Sequence, residues 1–264
     1  MTDMMKNVLT VRGKKEDVME FLDFLKQGNR KKLDFNLFIP MPSDLKKVVA
    51  RVQETSLAVG EYLVNHTTDN LYMIDRAYGD TVRQFMCDML NEKIEDDEAL
   101  MQAYLAYEKK QDGYEKYIKS CKLAYNNFET YGYADWFDWR MDYWGTKWNA
   151  ENSTRLDKLE PVYDEENGDW GVLIEFQTAD YVPMDVVENM VLRFTNLSFV
   201  VDFAFEIFGE NTGILKYEKD GTYWKYLFRD SSKKACEHAL MVWGKEKWKN
   251  KIVQDDMGLW YVEE

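Results

Sequence analysis

The chain is short of the residues that carry most recognisable chemistry. It has two histidines, His66 and His238, in 264 residues. A serine or cysteine nucleophile needs a base beside it, and neither histidine adjoins a nucleophile motif. A zinc site would need further ligands that only the fold could bring to them. Both are read as ordinary surface or core residues. The three cysteines, Cys87, Cys121 and Cys236, are odd in number and far apart. No Cys-x-x-Cys pair occurs, which speaks against a disulfide framework and a zinc ribbon and for buried thiols in a reducing compartment. No stretch of about 18 apolar residues is present, so no membrane span is expected. Met1 to Val11 carries charge and no long apolar run, unlike a signal peptide. These absences lead to an expected cytoplasmic location, with no metal and no cofactor. Positive charge is also in deficit: 48 acidic against 34 basic residues leave a net charge of −14. That balance opposes broad binding to nucleic-acid phosphates. It suits solubility, or an acidic face offered to a basic partner.

What the chain does have is aromatic surface. Aromatics make up 15% of it, with 9 Trp and 17 Tyr. Large flat side chains in that number serve a thick core or an interaction surface. The densest run is Tyr131 to Ala150, YGYADWFDWRMDYWGTKWNA.

Periodicity predicts a mixed fold. Asn7–Arg12 reads as a strand, Lys14–Gln27 as a helix through Val18, Phe21, Leu22 and Leu25, and Phe35–Ile39 as a second strand. The chain is thus expected to open β-α-β. Spacings of three and four then predict helices within Leu45–Val64 and Leu71–Leu90, and over Asp97–Lys110 and Asp112–Phe128. From Trp170 the period changes to two. A strand over Trp170–Thr178, a helix from Pro183 to Phe194 and a strand over Phe199–Ile207 follow. Ile214–Glu218 and Thr222–Phe228 form a hairpin about Lys219-Asp220-Gly221. Ser231 or Ser232 caps a last helix to about Lys249, and Trp260–Val262 is a final edge strand. The expected class is α+β, a ferredoxin-like split β-α-β sheet with a large helical insertion. Residues 1–42 and 153–230 would form the core and 43–152 the insertion. Residues 231–264 would add a helix and an edge strand.

Four stretches resemble the YubB-like family of phages and plasmids. They are Asn7–Gly13 with its following helix, Phe35–Pro42, Tyr143–Ala150 and Phe176–Ala179 with the Pro183 helix, in the family's order. The family tends to carry a Cys near the first strand, where this chain has Met4-Met5-Lys6. It tends to carry Trp and paired prolines after Thr-Ala, where this chain has Asp180-Tyr181-Val182-Pro183. The resemblance implies a ferredoxin-like core and a mobile-element setting. It implies no particular activity.

The sharpest candidate site is Trp144-Gly145-Thr146-Lys147-Trp148 with Asn149. Gly145 lets the backbone approach a ligand, Thr146 can donate, and Lys147 between two indoles can hold a phosphate or carboxylate. Thr178, the last residue of the period-two strand, and Tyr181 beyond it complete the candidate binding set. The competing reading is a structural corner in which the tryptophans bury and the lysine reaches out. The acidic runs Glu95–Glu98 and Asp164–Glu166 read as solvated loops, with Asp96 or Asp97 able to cap a helix. Lys245, Lys247, Lys249 and Lys251 interleave with Trp243 and Trp248. They can meet single-stranded nucleic acid, or offset a helix dipole at a C-terminus. The expected function is a non-enzymatic interaction protein of a mobile element, acting on a host or defence protein. The alternative is a module that binds a small ligand, a nucleotide or a nucleic acid through Trp144–Trp148.

Overall fold

The computed structural model describes residues 3–28, 31–48, 54–71, 82–91 and 93–263. In chain order the strands and helices are β1 (Met4–Gly13), α1 (Lys15–Leu25), α2 (Glu54–Asn65), α3 (Val82–Leu90), α4 (Asp97–Glu108), α5 (Tyr114–Tyr131), α6 (Trp136–Trp144), β2 (Val162–Asp164), β3 (Asp169–Ala179), α7 (Met184–Arg193), β4 (Ser198–Phe205), β5 (Gly213–Tyr217), β6 (Tyr223–Leu227), α8 (Lys233–Val242), β7 (Ile252–Gln254) and β8 (Trp260–Val262). The class is α+β. The chain divides into a unit of Met1–Pro40 and Arg140–Glu264 and a unit of Met41–Trp139. The Trp144–Trp148 segment and residues 231–264 therefore cluster with the sheet.

The first unit is built on a six-stranded antiparallel sheet, ordered β2-β3-β1-β4-β5-β6. β1 lies between β3 (Met4↔Ala179 to Gly13↔Trp170) and β4 (Met5↔Phe205 to Arg12↔Ser198). Both neighbours run antiparallel to β1, so β3 and β4 are parallel to each other, and α7 joins them. Met5, Asn7, Leu9 and Val11 alternate inward along β1 and are fully buried. Val18, Phe21, Leu22 and Leu25 of α1 cover that face, with Phe21 edge-on to Phe199 at 5.8 Å and to Phe194 at 5.1 Å. Tyr217, on the same face of β5, reaches Glu188 of α7. The opposite face packs Val8 and Ala204 against Ala239, Leu240 and Val242 of α8, with Phe208 beside them. β7 and β8 pair as a separate small hairpin.

In the second unit α2 to α5 enclose a core of Ala58, Val59, Leu71, Met86, Leu100, Met101, Tyr104 and Cys121. Asp96 caps α4, its carboxylate accepting from the Ala99 N–H at 2.8 Å. Parts of the helices expected over Leu45–Val64 and Leu71–Leu90 lie outside the described residues. All three cysteines are free thiols; Cys121 and Cys236 are buried and Cys87 is half-buried. Burial pushes the Cys121 thiol up to about 11.

Two expectations need correction. Phe35–Ile39 is not a strand: Phe35–Leu37 forms one 3-10 turn. The Asp34 side chain accepts from the Asn36 N–H, and the Phe35 N–H is taken by Asn149 Oδ1 at 2.9 Å. These local bonds out-compete a ladder. The run is apolar because Phe35 plugs the sheet, edge-on to Phe176 and Trp144. The chain therefore does not open β-α-β. The last helix, capped by Ser232, ends at Val242 and not near Lys249, because Gly244 turns left-handed (φ +66°). Residues Glu246–Lys251 continue as a separate 3-10 stretch.

Candidate functional site

The Trp144–Trp148 segment follows α6 and closes against the end of β3. Trp144 is fully buried, and its Nε1–H donates to the Ile39 carbonyl at 2.9 Å. The Arg140 guanidinium lies 4.9 Å from its ring and donates to the Lys147 carbonyl. Gly145 turns at φ +71°, the conformation that favours glycine. Thr146 is fully buried and donates to the Ala179 carbonyl at 2.8 Å. Asn149 is spent on Phe35, Ala150 and Asp34, the last at 2.7 Å. Thr178 is buried, accepting from Asn7 and donating to the Tyr181 carbonyl. Lys147 is ion-paired with Asp180 at 2.7 Å and lies 5.7 Å from the Trp148 ring. Trp148 and Tyr181 alone of the candidate set are exposed. Trp144 and Asn149 thus tie the segment to residues 34–39, and Thr146 and Lys147 tie it to the end of β3. The corner reading accounts for them.

A second location has the opposite character. β6 is the last strand of the sheet, and all five of its residues are exposed. Trp224 is 56% exposed and Tyr226 and Leu227 are each 54% exposed. Among the described residues no strand pairs with its outer side. The bonds Phe228 N–H to Thr212 O and Glu218 N–H to Thr222 O set the ladder's phase. Thr222, Trp224, Tyr226 and Phe228 direct their peptide groups towards β5, whereas Tyr223, Lys225 and Leu227 direct theirs outward. Rings stand on both faces of the strand. Tyr223 stacks on Tyr217 at 4.6 Å, and the Lys216 ammonium lies 5.4 Å from the Trp224 ring. Spacing predicts the hairpin but not that its second strand is an edge of the sheet. One signal was available: Tyr223, Trp224, Tyr226 and Leu227 occupy both parities, so the strand has no polar face.

Behind this edge sits a half-buried acid–imidazole pair that spacing could not reveal. His238 Nε2 on α8 lies 3.3 Å from Asp202 Oδ1 on β4, without hydrogen-bond geometry. The Phe228 ring covers the imidazole at 4.7 Å. Burial pushes the His238 pKa down, partly opposed by Asp202, and pushes the Asp202 pKa up. No nucleophile is placed against the pair by any bond described. Among the described residues no group of three acidic, histidine or cysteine side chains could hold a metal, and no helix is long and apolar enough to cross a membrane.

Fold and site together define an α+β protein whose open antiparallel sheet ends in an exposed aromatic edge. No family model and no curated protein matches the chain. Among solved structures it is similar to protein api92 from Yersinia pseudotuberculosis, described under the family model DUF1281. The identity is 11% and the TM-score 0.38, over 86% of this chain and 98% of that one.

Proposed function

We propose that this chain is a non-enzymatic interaction protein that receives an extended segment of a partner protein on the outer edge of β6. The observation that carries the reading is the exposure of all five residues Tyr223–Leu227 in a strand with an open ladder. Sheet proteins protect such edges with charge, proline or cover. Here a single lysine, Lys225, interrupts a row of rings. Strand addition supplies main-chain hydrogen bonds, and the flanking rings supply apolar area and selectivity. Lys225 favours a partner residue with a carboxylate opposite it. The β3-α7-β4 unit split by β1 supports a ferredoxin-like reading of the core. The YubB-like resemblance supports a phage or plasmid setting in a bacterial cytoplasm, with a host or defence protein as the partner. The alternative siting on Trp144–Trp148 has less support, because its polar groups are already bonded.

The test uses Lys225→Pro. Its N–H points outward, so proline removes a donor from the open edge and none from the β5 ladder. A partner retained by the native chain should be lost with Lys225→Pro and with Trp224→Ala/Tyr226→Ala. Amides of Tyr223, Lys225 and Leu227 should become protected from exchange in the complex. A partner that binds all variants equally and leaves these amides unprotected would refute the edge.

A further inference from the structure

A separate hollow of about 570 Å³ lies where the loop after β4, the end of α8 and β8 meet. Its lining is apolar and aromatic in Ile207, Phe208, Trp243, Tyr261 and Val262, and charged in Glu206 and Lys245. Its volume is in the range of small-ligand sites, roughly 300–1,000 Å³. Trp243 is held in place: its Nε1–H donates to the Ala204 and Phe205 carbonyls. Lys245 is fixed at its backbone. Gly244 N–H bonds to Met241 O and Lys245 N–H to Leu240 O at 2.7 Å, the paired bonds of a glycine-terminated helix. The Lys245 ammonium sits 4.9 Å from the Phe208 ring and 4.3 Å from the Trp248 ring, and the Lys251 ammonium lies 4.5 Å from that same Trp248 ring. Two cations share one indole in a protein of net charge −14. Among the described residues, neither has a carboxylate within ion-pair distance. These lysines lie beyond the end of α8, so they do not act at its last turn.

We infer that this hollow binds a single nucleotide, with its base against Trp243 and Tyr261 and its phosphate on Lys245. An ammonium at the edge of the hollow with no carboxylate partner suits a phosphate, and the aromatic lining suits a planar ring. Glu206 on the rim can accept from an exocyclic amino group. The scale decides between a free nucleotide and a strand. The cavity has room for about one nucleotide, and the acidic molecule as a whole repels a long polyanion.

The full chain is titrated calorimetrically with AMP, GMP, CMP and UMP, with inorganic phosphate, and with a short oligothymidylate. At least one mononucleotide should bind saturably and more tightly than phosphate. Lys245→Gln should weaken it about tenfold. Tyr261→Ala should weaken it several-fold while leaving phosphate binding unchanged. Both variants alter half-buried or exposed side chains and should unfold at the native temperature. No saturable nucleotide binding, or affinity unchanged in the lysine variant, would overturn the site. Phosphate binding as tightly as every nucleotide would remove the base from the proposal. An oligonucleotide that outbinds every mononucleotide per site would overturn the single-nucleotide assignment.

Discussion

At the scale of single residues, burial decides what the polar side chains do. Thr146 looks like a ligand donor by composition, yet its hydroxyl is fully buried and given to the Ala179 carbonyl. Thr146→Val keeps the shape and removes that bond. It should destabilise the chain by about 1 kcal/mol, read from urea unfolding. It should leave partner capture by β6 unchanged. His238 gives a sign-determined prediction. Burial holds its folded pKa below the unfolded value of 6.5. The unfolded chain therefore binds more protons as pH falls through that value, and stability falls with it. Above it, the imidazole is neutral in both states and the stability is fully present. Asp202, its pKa raised by burial, acts in the opposite sense, from its ordinary 3.8 upward. The melting temperature should drop as pH goes from about 7.5 to about 5.5, and His238→Gln should flatten that slope. A slope unchanged in the variant would assign the effect elsewhere.

At the scale of elements, close approach outweighs intrinsic propensity. Gly60 lies inside α2, where alanine ordinarily stabilises a helix by about 0.5–1 kcal/mol. Here an added Cβ would meet the Cys121 carbonyl oxygen and the Tyr125 Cβ of α5, the latter at 2.7 Å. Backbone cannot step aside as a side-chain tip can. Gly60→Ala should therefore destabilise by about 1–3 kcal/mol, measured by denaturant unfolding. A gain in stability would mean that α2 and α5 separate without cost. The same balance explains what was readable beforehand. The strands of Trp170–Thr178 and Phe199–Ile207 and the 214–228 hairpin were legible because alternation over many residues admits one geometry. Phe35–Ile39 was not, because a short apolar run reads alike as a strand or a plug. Asn149, distant in sequence, decided it by taking the Phe35 N–H. Trp144–Trp148 has one composition for two roles, and only burial separates them. The Asp202–His238 pair depends on α8 crossing β4, a juxtaposition that no spacing records.

At the scale of the whole molecule, the helical unit interrupts the sheet unit between Pro40 and Arg140. The two ends of that interruption are held together inside the sheet unit itself. The Ile39 carbonyl accepts from the Trp144 indole at 2.9 Å, and Arg140 stands one helical turn before Trp144. A short bridge can therefore span the gap. The sheet unit also has its own buried layers, α1 and α7 on one face and α8 on the other. Replacing residues 41–139 by a glycine–serine bridge of about six residues should leave a chain that unfolds in one cooperative transition. Its circular dichroism should lose helix and keep strand. If β6 is the interaction edge, the shortened chain should also retain the partner. A shortened chain that is unfolded would show that the sheet draws its stability from the helical unit. One that folds but loses the partner would move the interface onto residues 41–139.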